Sequence, residues 1–76
     1  MRKFEVGELV LLDDPIEIYL LDDFFRNRGF MFYPGEIGTV LEVMDSKVEA
    51  GFFEEYVKIL TPKGAGWCTS RWLRNA

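Results

Sequence analysis

Apolar and polar positions alternate with a period near two along most of this chain, in short runs broken by glycine, proline and aspartate. Val6-Gly7-Glu8-Leu9-Val10-Leu11-Leu12 predicts a first strand over about residues 4–12, with Gly7 marking a bulge or a close backbone approach. Leu9 to Leu12 is apolar at every position, which predicts cover on both faces. Pro34-Gly35-Glu36-Ile37-Gly38-Thr39-Val40-Leu41-Glu42-Val43 predicts a second, β-branched strand from Glu36 to Met44, entered between two glycines. Asp45-Ser46-Lys47 reads as a turn and Val48 to Gly51 as a connection. A third strand starts at Phe52 or Tyr56 and ends at Leu60, with Val57 and Ile59 pointing one way and Lys58 the other. Thr61-Pro62-Lys63-Gly64 has the composition of a β-turn. Ala65 to Thr69 follows as a strand, then a short 3₁₀ turn over Thr69-Ser70-Arg71 and a closing strand over Trp72-Leu73-Arg74.

The alternation is ambiguous between Asp13 and Tyr33. Asp14-Pro15-Ile16-Glu17 has the form of a helix start: an N-cap carboxylate, proline at the first helical position and a glutamate two residues on that reaches back. Asp22 and Arg26 are four apart, as an ion pair on a helix requires, and Gly29 has the place of a C-terminal cap. These signals predict a helix over about residues 15–27, with Leu20, Leu21, Phe24 and Phe25 on its apolar face. The competing reading is a strand in which Ile16, Ile18 and Leu20 alternate with Glu17 and Tyr19.

Five short strands, a long excursion after the first and a turn before the last resemble SH3-like small barrels. The stretch Gly35 to Val43 looks like the glycine-centred strand of the KOW-type members, and Val6 to Leu12 looks like their usual opening strand. Chains of this size and layout also resemble small proteins common in tailed-phage genomes. The expected architecture is therefore a mainly β, SH3-like five-stranded barrel of one domain, residues 1–76, with one short helix inserted after strand one. The resemblance implies a binding role, toward protein or, as in KOW-type members, toward nucleic acid or the transcription machinery.

With 76 residues the chain has material for one domain and a marginal core, for which 49% apolar content supplies the packing. One cysteine and no histidine leave no internal disulfide and no expected zinc staple, so self-association is the remaining common support for so small a fold. Met1-Arg2-Lys3 precedes Phe4-Glu5 rather than an apolar run, and no segment reaches the roughly 20 apolar residues of a membrane span. The expectation is a cytoplasmic protein, or one carried in a particle assembled there, with no membrane partner.

Catalysis has little to draw on. Histidine, the commonest general base near neutral pH, is absent, and Cys68 has no base to activate it. The acid pairs Asp13/Asp14, Asp22/Asp23 and Glu54/Glu55 are sequence neighbours, whose side chains diverge on a helix or strand. Gly64-Ala65-Gly66 lacks the lysine and hydroxyl of a phosphate loop. No enzyme, cofactor, metal or small-molecule substrate is expected.

Two binding surfaces are candidates. Six of the chain's 12 aromatic residues fall between Tyr19 and Tyr33, more than a core this small should absorb. Phe24, Phe25, Phe30, Phe32 and Tyr33, with Arg26 and Arg28 at the rim, form the candidate protein-binding surface. The alternative follows the charge. Residues 1–55 hold thirteen acids against five bases, a balance of −8, whereas residues 56–76 hold four bases and no acid. Lys58, Lys63, Arg71 and Arg74, with Trp67 and Trp72 for stacking, form the candidate nucleic-acid edge. Four cations on a net-acidic chain make a thin electrostatic footprint, so a protein partner or a second copy is favoured.

Overall fold

A computed structural model describes residues 3–13, 17–24, 26, 28–47 and 53–76 of the chain. Its elements are β1 (Leu9–Leu12), β2 (Ile18–Tyr19), β3 (Met31–Phe32), β4 (Gly38–Lys47), β5 (Phe53–Thr61), β6 (Gly64–Thr69), a 3₁₀ turn (Ser70–Trp72) and β7 (Leu73–Asn75). Five strands form one antiparallel sheet in the order β6-β5-β4-β1-β7, and β2 pairs with β3 as a separate hairpin. The protein is thus mainly β. The expected barrel closure is not seen: among the described residues β6 and β7 are the two edges of an open sheet and do not pair with each other.

Residues opposite one another in an antiparallel ladder share a face. Val40 lies opposite Ile59, Val43 opposite Val57, Val57 opposite Cys68, and Leu12 opposite Leu73, and this face carries the core. Phe4, Leu20 and Phe32 close over it from outside the sheet. Glycine permits close packing at two points. A Cβ at Gly38 would sit 3.2 Å from the Ile59 side chain, and one at Gly66 would sit 2.6 Å from Leu20 Cβ. The second contact seats the hairpin on β6. A register shift between Val40 and Glu42 bulges β4 opposite β5, a device that bends and twists a strand.

The β4–β5 hairpin is longer than the sequence suggests. Pairing runs out to Lys47 opposite Phe53, so Asp45-Ser46-Lys47 extends the strand instead of turning. The expected connection at Val48 to Gly51 lies outside the described residues. Gly7 sits in a turn before β1 at φ +95°, not inside the strand. Leu9 is 51% exposed and Leu11 on the same face is half-buried, so the second face of β1 is covered only in part. The turn Thr61–Gly64 forms as expected, with the Thr61 hydroxyl donating to the Gly64 carbonyl and accepting from the Lys63 amide.

The inserted helix over 15–27 is overturned. Residues 14–16, and with them the N-cap and proline, lie outside the described residues, but Glu17 to Phe24 is not helical. Ile18 pairs with Phe32 and Tyr19 with Met31, in the alternation that the competing strand reading gave. Asp22 explains why a helix loses. Its Oδ1 accepts the amides of Phe24 and Arg26, both at 2.9 Å, taking donors that a helix would use. Gly29 is not a cap: a Cβ there would run into the carbonyl oxygen of Leu20, so the residue permits the close pass of the hairpin strands.

Candidate functional site

The hairpin disposes the aromatic residues of its segment very differently. Phe32 is fully buried and belongs to the core, which corrects its expected role as a surface anchor. Phe30 is half-buried against that core and also touches the Gly64 turn. Tyr33 is exposed at the base of the hairpin, with Lys63 Nζ 4.3 Å from its ring centroid. Phe25 lies outside the described residues. Phe24 is the outlier, at 76% exposure.

The backbone around Phe24 is closely tied. Besides the two amides that Asp22 Oδ1 accepts, the Asp22 amide donates to the Arg26 carbonyl at 3.0 Å, and the Arg28 amide to the same carbonyl at 2.8 Å. Arg26 Nε lies 3.4 Å from Asp22 Oδ2, and its guanidinium carbon 5.0 Å from the Phe24 ring centroid. The amide bond from Arg26, above all, holds the Asp22 carboxyl below the usual carboxylate range. Next to it, Asp23 Oδ1 accepts the Trp67 indole N–H at 2.9 Å and lies 3.0 Å from Lys58 Nζ. The indole bond first, then Lys58, lowers the Asp23 pKa, while the bond to Asp23 raises that of Lys58. This latch fastens the hairpin end to β5 and β6. Leu21 fastens it again, exchanging backbone bonds of 2.8 and 2.9 Å with Trp67.

The basic edge does not assemble as one surface. Lys58 lies between Asp23 and Glu42, Lys63 lies 3.5 Å from Glu36 and donates to the Met31 carbonyl, and Arg74 Nε lies 3.9 Å from Asp13. Trp67 is buried with its indole N–H taken. Arg71 is exposed and engaged within the chain, and Trp72 is 42% exposed.

Trp72 instead faces a groove. Ile18, Tyr19 and Leu21 of the hairpin and Trp67, Cys68, Thr69 and Trp72 of β6 and the 3₁₀ turn line a cavity of about 150 Å³. Among the described residues the hairpin shares one backbone bridge with β6, Leu21 opposite Trp67, and the groove lies beside it. The sequence places Tyr19, Trp67 and Trp72 among its aromatics but gives no signal that joins them. Ile18, Leu21 and Thr69 were missed, since their convergence depends on the strand reading of residues 18–21. The Thr69 hydroxyl is buried and has no hydrogen-bond partner among the described residues. Cys68 forms part of the wall, and burial pushes its thiol up to about 12, leaving it protonated and unreactive. Among the described residues no group of three or more acidic, cysteine or histidine side chains could hold a metal ion, and no helix is long and apolar enough to cross a membrane.

No family model matches the chain, and neither a curated protein nor a solved structure does.

Proposed function

We propose that this chain is a non-enzymatic protein-binding module built on an SH3-like plan, which engages its partner through Phe24, Arg26 and Arg28. The observation that carries the reading is Phe24, a phenyl ring held 76% exposed by a backbone tied on both sides. Folding gains nothing from a large apolar side chain in water. Aromatic and arginine side chains are the preferred anchors of interfaces, and a preorganised loop reduces the ordering cost of binding. The five-stranded main sheet, the long excursion after β1 and the 3₁₀ turn before β7 support the SH3-like part of the reading. A phage accessory or virion-associated protein remains the setting that the resemblance suggests.

The test is site-specific photocrosslinking. A benzophenone amino acid at position 24, expressed in cells, should give discrete protein adducts absent when the probe replaces the exposed Glu5. Equal labelling at the two positions would overturn the reading. So would adducts with nucleic acid alone, which would move the function to the basic side chains.

A further inference from the structure

We draw no further inference here: the strongest candidate, the exposed apolar row of Leu9, Leu60 and Ala65 that the strand register carries across the outer face of the main sheet from β1 to β6, has nothing in the structure to show what covers it, and the same holds for the groove beside Trp72.

Discussion

Phe24 and Phe32 are eight positions apart on one hairpin and have opposite physical roles. Phe32 lies wholly within the core, so Phe32→Ser should lose about 3–5 kcal/mol, enough to unfold most of a domain this small. Circular dichroism and a urea midpoint would read it. Phe24→Ala should change stability by less than about 0.5 kcal/mol, since the ring is already in water. Gly38 makes a related point without a side chain. A valine there would crowd Ile59, with its Cβ 3.2 Å away before any branch is added, and should destabilise by about 1–3 kcal/mol in the same urea assay. Composition shows that these residues are apolar or small. It does not show which of six nearby aromatic rings the core takes, because that depends on the register of the β2–β3 pairing.

At the scale of elements the sheet strands were legible and the hairpin was not. β5 and β6 lie where β-branched alternation and the Thr61-Pro62-Lys63-Gly64 turn put them, and β4 runs through the turn expected at Asp45-Ser46-Lys47. The segment from Asp14 to Gly29 carries real helix-capping chemistry, but those signals are local. They were outweighed by one competing local interaction, Asp22 drawing the amides of Phe24 and Arg26 into a loop, and by contacts that no local rule contains, Leu20 over Gly66 and Leu21 paired with Trp67. The same distance in sequence hid the groove, whose two walls are more than forty residues apart. The latch at Asp23 is testable by pH. Its folded pKa lies below the ordinary 3.8, so its contribution is present above 3.8 and is lost as pH falls through the folded value. The Trp67 indole N–H resonance should therefore shift with a midpoint below 3.8, and Asp23→Asn should abolish that step. Lys58 has the opposite sign: its pKa is raised above 10.5, so its share persists below that pH and fades as pH rises through the folded value.

For the whole molecule, one face of an open sheet is roofed by a hairpin and by Phe4. Leu20 and Phe32 place the hairpin inside the cooperative unit, so sheet and hairpin should unfold together. Cys68 reports on that unit. Buried under the hairpin with a pKa of about 12, its thiol should react with a disulfide reagent only through opening of the fold. Its labelling rate should therefore rise with urea in step with the fraction unfolded. A rate fast in native buffer and independent of urea would mean that the groove wall opens locally.

The single residue pairing between Leu21 and Trp67 has a consequence for solubility. β6 is an edge strand, and an uncovered edge is a template on which other chains can add strands without limit. Leu21 lies across its middle and occupies the amide and carbonyl of Trp67 that such an addition would use. Replacing Leu21 with proline removes the amide that donates to the Trp67 carbonyl and would uncover this edge while leaving β4, β5 and β6 to pair. The variant should form thioflavin-positive fibrils at concentrations where the parent stays clear, so the hairpin also guards the chain against polymerising through its own sheet.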